Sequence, residues 1–307
     1  MRIVSLFSGA GGLDLGLIQA GHDIIWANDI DKDAVATYTA NIGGHIHMGD
    51  IQDVDMESLP DCDLIIGGFP CQGFSLANMR RTLDDERNQL YKSFHNAVKT
   101  KRPRFFVAEN VKGILSLGKG EIVRRIRNDF EEAGYQISVN LVNMADYGVP
   151  QIRQRVIFLG QRMDVGKDLK IQLPSPTNSR DGVSLPGWIS VSEAISRFPE
   201  PSEECGIPNH VCSSYKVVAR NFTGHRVTDP DKPSPTILAR GNGGGGVVAI
   251  PHYNGKRRYS IRESAAIQTF PDDFVFHGAM GSCYRQIGNA VPVRFAYLLG
   301  LQLGKIK

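Results

Sequence analysis

Arg2-Ile-Val-Ser-Leu-Phe7 runs directly into Ser8-Gly-Ala-Gly-Gly-Leu-Asp-Leu-Gly16, and the reading of this junction decides the fold. The first segment is apolar and partly β-branched, which predicts a strand. The apolar spacing from Leu13 to Ala20 predicts a helix. The glycines between them let the backbone turn tightly and approach a ligand, and the free N–H groups of a helix start can meet an anion. The same unit recurs over the first 160 residues. Further strands are expected at Ile24–Asn28, His45–Met48, Asp63–Gly67, Arg104–Glu109, Ile137–Val142 and Val156–Gly160. Helices are expected at Lys32–Asn41, Asn88–Thr100 and Glu121–Ala133, with Gly134 where a C-terminal cap belongs. That alternation predicts an α/β fold on a doubly wound, mostly parallel sheet.

The texture changes after Gly160. From Leu173 to Gly255 the chain is rich in Pro, Gly, Ser and Asn, as in Leu173-Pro-Ser-Pro176, Asp229-Pro-Asp-Lys-Pro-Ser-Pro235 and Gly241-Asn-Gly-Gly-Gly-Gly246. This predicts a smaller, irregular second lobe. Helical patterning returns at Ile261–Gln268 and again from Pro292 to Leu303, where Pro292 suits a first turn. The last helix is apolar enough that it should pack back on the first lobe. The expected division is 1–172, 173–279, and a returning segment 280–307.

The chain has 307 residues, of which 41% are hydrophobic and 22% charged, and these fractions fit a soluble globular protein. No apolar run reaches a membrane span and no secretory signal opens the chain, so a cytoplasmic protein is expected. Five cysteines (Cys62, Cys71, Cys205, Cys212, Cys283) are scattered without a Cys-x-x-Cys pair, and neither a metal site nor a disulfide framework is expected. A net charge of +3 names no partner, although Met79-Arg80-Arg81 and Lys256-Arg257-Arg258 are locally basic.

Reading Gly-x-Gly-x-x-Gly from Gly9 places Asp14 at the third glycine, so the loop is not a dinucleotide fingerprint. Asp29 ends the second expected strand, where a ribose-binding carboxylate belongs, and Asp50 ends the third. The glycine loop (Gly9, Gly11, Gly12, Leu13), Asp29 and Asp50 together describe a site for an adenosine-containing cofactor. S-adenosylmethionine fits better than NAD, because no loop is shaped for a pyrophosphate. Gly67-Gly-Phe-Pro-Cys-Gln-Gly-Phe-Ser75 then follows the fourth strand, near the switch point of such a sheet. Beside Pro70, Cys71 is expected at the mouth of the crevice, and a thiol is intrinsically a strong nucleophile.

Six ordered motifs now become specific. Phe7-Ser-Gly-Ala-Gly-Gly12, Pro70-Cys71-Gln72, Glu109-Asn110-Val111, Gln151-Ile-Arg-Gln-Arg155, Arg262-Glu263 with Gln268-Thr-Phe-Pro271, and Gln286-Ile-Gly-Asn-Ala-Val-Pro292 resemble those of the DNA cytosine-5 methyltransferase family. The resemblance covers nearly all the chain outside about 173–225. It implies the S-adenosylmethionine-dependent methyltransferase fold with a target-recognition domain, and S-adenosylhomocysteine as product. It implies that Cys71 attacks carbon 6 of a cytosine flipped out of double-stranded DNA, so that carbon 5 can take the methyl group. Glu109 would supply a proton or strong hydrogen bond near N3, a role that asks for a dry pocket or a proton shared with the base. Arg155 would contact the base carbonyl and steady Glu109. Arg153 would support that network, with a structural ion pair the stronger expectation; both arginines, two apart, should share one face of a strand.

For the cofactor, the resemblance implies Phe7 against adenine, Asp29 on the ribose hydroxyls and Asp50 on the exocyclic amine. Ile30, Ile51, Pro70 and Leu90 would line the pocket, and Asn289, Ala290 and Val291 would close it at the methionine end. Ile30 stands where some relatives carry an aromatic ring. A loop at Gln72–Asp85 would close behind the flipped base, with Gln72, Ser75, Arg80 and Arg81 toward DNA. Thr236 and Arg240 join them from the recognition lobe, where Arg220, His225, Arg226 and Asn242 are chemically able to contact DNA. Arg262 and Glu263 are expected to pair with each other. A monomeric enzyme in a prokaryotic cell or phage-infected host follows, working beside a restriction endonuclease. A transfer-RNA cytosine-5 methyltransferase, an inactive nucleic-acid-binding relative and a nicotinamide dehydrogenase are the competing readings.

Overall fold

The computed structural model describes residues 1–70, 89–166, 170–213, 227–239 and 250–306. Its sheet has seven strands: β1 (Arg2–Leu6), β2 (Asp23–Asp29), β3 (Ile46–Met48), β4 (Leu64–Gly67), β5 (Phe105–Val111), β6 (Tyr135–Asn143) and β7 (Gln154–Arg162). Their order is β3-β2-β1-β4-β5-β7-β6. The pairs among β1 to β5 are parallel, whereas β7 runs antiparallel to both β5 and β6. The reversal has a local cause. Between β6 and β7 lies only a 3-10 turn at Met144–Tyr147 and a short lead-in, too little chain for a parallel crossover.

Helices α1 (Gly12–Gln19), α2 (Lys32–Asn41), α3 (Gln89–Lys101) and α4 (Glu121–Glu132) occupy the expected places. In α4 the buried residues Ile122, Ile126 and Phe130 recur every four positions and so form one stripe. Central strands are buried on both faces, and alternate side chains feed two cores. Ile65, Phe106 and Ala108 join Phe94, Ile126 and Phe130 on the α3/α4 side. Leu64, Ile66, Phe105 and Val107 join Leu13, Leu17, Phe295 and Leu299 on the other.

Beyond the sheet, α5 (Val191–Ile195) and α6 (Ile261–Ile267) each begin at a capping box, Ser190 with Glu193 and Ser260 with Glu263. Helices α7 (Met280–Asn289) and α8 (Val293–Leu303) follow. The sequence reading did not name α7, whose glycines dilute its apolar period; Pro292 precedes α8 rather than opening it. A third core gathers Ile237, Tyr259, Phe270, Phe274, Phe276 and Ile287.

Helix α8 packs on α1 through close backbone approach. A Cβ at Gly16 would stand 2.4 Å from Ala296 Cβ and 2.5 Å from the Val293 carbonyl oxygen. Gly16→Ala should therefore cost about 1–3 kcal/mol, because overpacking outweighs the gain in helix propensity. Gly44→Ala, with open space around it, should stay within about 0.5 kcal/mol. Denaturant melts of the two variants check the contrast.

Candidate active site

A crevice of about 890 Å³ opens at the carboxyl ends of the strands, within the usual range for small-molecule sites. It lies where the strand order reverses between β1 and β4, the position that topology assigns to ligands in open α/β sheets. Its walls come from the loops after β1 to β5, with Arg153 and Arg155, Ile237 to Ala239 and residues of 285–291 closing it.

On one side the glycine loop and β2 build an acidic wall. Phe7 turns the chain at φ 56°, a left-handed conformation that is costly outside glycine and is found where function holds it. The Gly9 N–H donates to Asp29 Oδ2 at 2.7 Å, and the Asp31 N–H donates to Oδ1 at 2.9 Å. Both oxygens of Asp29 are thus fixed, while burial pushes its carboxyl above the ordinary range against those two bonds. Asp50 lies two residues beyond β3 and caps the 3-10 turn Ile51–Asp53, accepting from the Gln52 N–H at 3.0 Å. Phe7, Gly9, Gly12, Leu13, Ile30, Ile51, Pro70, Leu90, Asn289, Ala290 and Val291 line the crevice. Gly11 does not. It has φ 86°, and a Cβ there would meet Ile42 at 2.2 Å, so it serves the packing of the α1 start on α2.

Asp14 also lines this side and was not singled out from the sequence. It is wholly buried, accepting from Ser5 Oγ at 2.8 Å and from the Tyr38 hydroxyl at 2.9 Å. Burial pushes its carboxyl up to about 6.

The opposite side is basic. Arg155 Nε stands 2.8 Å from Glu109 Oε1, with both side chains 12% exposed. The pair is ionic, but the N–H is not aligned on that oxygen, and Oε1 has no hydrogen bond among the described residues. Glu109 lies within β5, opposite Ile157 of β7. Its neighbour Asn110 donates from Nδ2 to the Phe69 carbonyl at 3.0 Å, fixing the chain just before Pro70.

Arg153 departs from the expectation. It precedes β7 rather than sharing a strand face with Arg155, and it forms no ion pair among the described residues. Its Nη1 donates to the Ile237 carbonyl at 3.0 Å, and Nη2 donates to those of Gly288 and Ala290 at 2.9 and 3.1 Å. Burial, then the nearby Arg155 charge, push this guanidinium below the usual arginine range. Thr236 donates from its hydroxyl to the Ile152 carbonyl at 2.7 Å, joining its own segment to the β7 lead-in. Cys71, Gln72, Ser75, Arg80, Arg81 and Arg240 lie outside the described residues, as do Arg220, His225, Arg226 and Asn242.

The family described as C-5 cytosine-specific DNA methylase matches residues 1–204 and 202–305. The chain belongs to this family. It is 40% identical to the Type II methyltransferase M.NgoFVII of Neisseria gonorrhoeae, over 95% of this chain and 83% of that protein. It is 36% identical to M.FnuDI of Fusobacterium nucleatum, over 99% and 94% respectively. The fold of Schizosaccharomyces pombe Dnmt2 superposes with a TM-score of 0.69 at 20% identity, covering 100% of this chain and 99% of that one. This DNA cytosine-5 methyltransferase has the fold of S-adenosylmethionine-dependent methyltransferases, and the dehydrogenase reading falls. No helix among the described residues is long and apolar enough to cross a membrane.

One expected contact of the methyltransferase is corrected. Arg262 and Glu263 do not pair, because adjacent helical side chains diverge by about 100°. Arg262 donates to the carbonyls of Pro208, Pro271 and Phe274, while Glu263 takes Arg257 at 2.8 Å. Sequence reading also missed the buried amide pair in which Gln151 Nε2 donates to Gln268 Oε1 at 2.9 Å.

Asp14 gives a pH prediction with a defined sign. Its folded carboxyl titrates at about 6, above the ordinary 3.8, so between those values the native state holds the proton more often than the unfolded chain. Stability should therefore fall as pH rises through 4 to 6, by roughly 2–3 kcal/mol. In Asp14→Asn that component should vanish. The difference between the two proteins' urea-unfolding free energies, followed from pH 4 to 7, measures it.

Proposed function

We propose that the crevice holds S-adenosylmethionine along its acidic wall and a flipped cytosine against Glu109 and Arg155, with Cys71 as the nucleophile. The buried Oε1 of Glu109, ion-paired with Arg155 yet without an aligned hydrogen bond among the described residues, carries this reading. A buried carboxyl with a cation beside it but no aligned donor on that oxygen has room for one, and protonated N3 or the exocyclic amine of cytosine supplies it. The fit to the cofactor rests on Asp29, held by two backbone donors yet facing the crevice. It can still accept from ribose hydroxyls, with Phe7 toward adenine and Asp50 toward its amine. When bound, S-adenosylmethionine supplies an electrophilic methyl group.

The chain's own residues then divide the work. The Cys71 thiolate forms a bond to carbon 6, and the displaced electron pair moves toward carbon 5 and the N3 side of the ring. Glu109 enters the step protonated and gives or shares that proton at N3, which neutralises the charge, and Arg155 then pairs with the resulting carboxylate and holds the ring carbonyl. After carbon 5 has gained its methyl group and lost its proton, elimination of the sulfur restores the ring and the thiolate. Asn110, which pins Phe69, sets the approach of the chain to Cys71. Residues 173–279 would read the target sequence, with Thr236 and Arg240 among those facing DNA and Gln72, Ser75, Arg80 and Arg81 meeting it from the other lobe. The enzyme would act as a monomer in a prokaryotic cytoplasm or phage-infected host, as the modification partner of a restriction endonuclease.

Transfer of labelled methyl from S-adenosylmethionine to duplex DNA should give 5-methylcytosine, and Cys71→Ser should abolish it. Glu109→Gln should lower kcat by about 10²–10⁴ while cofactor affinity stays within about twofold. Labelling of transfer RNA but not DNA, or an active Cys71→Ser, would overturn the reading.

A further inference from the structure

The rim of the crevice carries an ion pair between two parts of the chain that lie far apart in sequence. Arg285 of α7 donates to Asp31 Oδ2 from Nη2 at 2.7 Å and from Nε at 3.2 Å. Both residues line the crevice, and their side chains are 30% and 28% exposed. The same Asp31 caps α2 through Oδ1, which accepts from the Asp33 N–H at 3.0 Å. Its own N–H is one of the two donors that fix Asp29. Asp31 thus joins three things: the start of α2, the carboxylate proposed for the ribose, and the C-terminal segment.

The segment that supplies Arg285 is held in place independently. Thr37 of α2 donates to Gln286 Oε1 at 2.7 Å and accepts from the His277 N–H at 2.8 Å. Asn41, one turn on, exchanges two hydrogen bonds of 2.8 Å with the Val275 backbone. These polar contacts follow one face of α2 and reach the crevice at the Asp31–Arg285 pair. The ion pair is therefore not needed to dock α7 on α2. Its particular effect is on the position and charge of Asp31, and through the Asp31 N–H on the aim of Asp29.

We propose that Arg285 is a positioning residue for cofactor binding: by clasping Asp31 it holds Asp29 in its hydroxyl-accepting orientation and neutralises the second carboxylate at the rim. The inference rests on the placement of S-adenosylmethionine given above. Without Arg285 the Asp29–Ile30–Asp31 turn loses its outer anchor, and Asp31 is left as an unpaired negative charge beside Asp29. Affinity for the nucleoside portion then falls, while the Cys71–Glu109 chemistry on the opposite wall is left in place.

Isothermal titration calorimetry with S-adenosylmethionine on the full-length chain tests this without recourse to turnover. Arg285→Met should weaken binding by about three- to tenfold, the range for a partly exposed charged hydrogen bond. Arg285→Lys should recover part of the loss. Asp31→Asn keeps an N-cap side chain but not the ion pair, and should weaken binding by a similar factor. The double variant should be no worse than either single one, since both remove the same contact. Duplex DNA affinity and melting temperature should stay near wild type. Unchanged cofactor affinity in Arg285→Met, or losses that multiply in the double variant, would overturn the proposal. A wild-type chain that binds no S-adenosylmethionine would instead overturn the cofactor placement, and this inference with it.

Discussion

A fully buried guanidinium ties the lead-in to β7 to the backbone at Ile237 and at the end of α7. Arg153 is 1% exposed and draws the carbonyls of Ile237, Gly288 and Ala290 toward one point. Leaving a charge so placed without partners would cost the fold several kcal/mol, so the two backbone segments that supply these carbonyls have little freedom to move apart. The Gln151–Gln268 pair extends the constraint. Gln151 Oε1 accepts from the Ile237 N–H at 2.9 Å, and Gln268 Nε2 donates to the Ile287 carbonyl at 2.7 Å. The same peptides that satisfy this polar cluster form the wall of the crevice opposite the sheet. This wall of the crevice is held both by buried hydrogen bonds and by the apolar core that takes in Ile237 and Ile287.

That cluster also shows what the sequence could and could not reveal. The strands were legible because central parallel strands are buried on both faces and read as near-continuous apolar runs, as Leu64–Gly67 and Phe105–Val111 do. Asp29 and Asp50 were legible because a doubly wound sheet gathers its strand ends at one crevice, so position in the order predicts proximity. Contacts between distant segments leave no such trace. Arg285 and Asp31 are 254 positions apart, and Gln151 and Gln268 are 117 apart; nothing in either local pattern announces the partner. Arg262 and Glu263 fail in the opposite sense: sequence neighbours of opposite charge suggest a pair, but the helix turns them to separate partners. Asp14, seen from the sequence only as the residue that spoils a dinucleotide fingerprint, proves to be a buried acid tied to Ser5 and Tyr38.

Apart from Arg285 on Asp31 and Glu109 beside Arg155, the acidic and basic residues lining the crevice lie on different sides, and the topology explains why. Asp14, Asp29, Asp31 and Asp50 belong to the loop–helix and strand–loop junctions around β1 to β3, on one side of the switch point. Glu109, Arg153 and Arg155 belong to β5, the β7 lead-in and the start of β7, on the other. An α/β sheet with β7 reversed brings the start of β7 beside the carboxyl end of β5, as the Val111–Arg155 register shows. Only that reversal lets a residue preceding or opening a strand face the ligand crevice, where parallel strands would present residues at their ends. The acidic side suits hydroxyl and amine donors and a cationic sulfonium, whereas the arginines on the other side suit a ring that gathers negative charge during reaction. The antiparallel strand is thus what would allow one crevice to take the two proposed ligands, which differ in electrostatic demand.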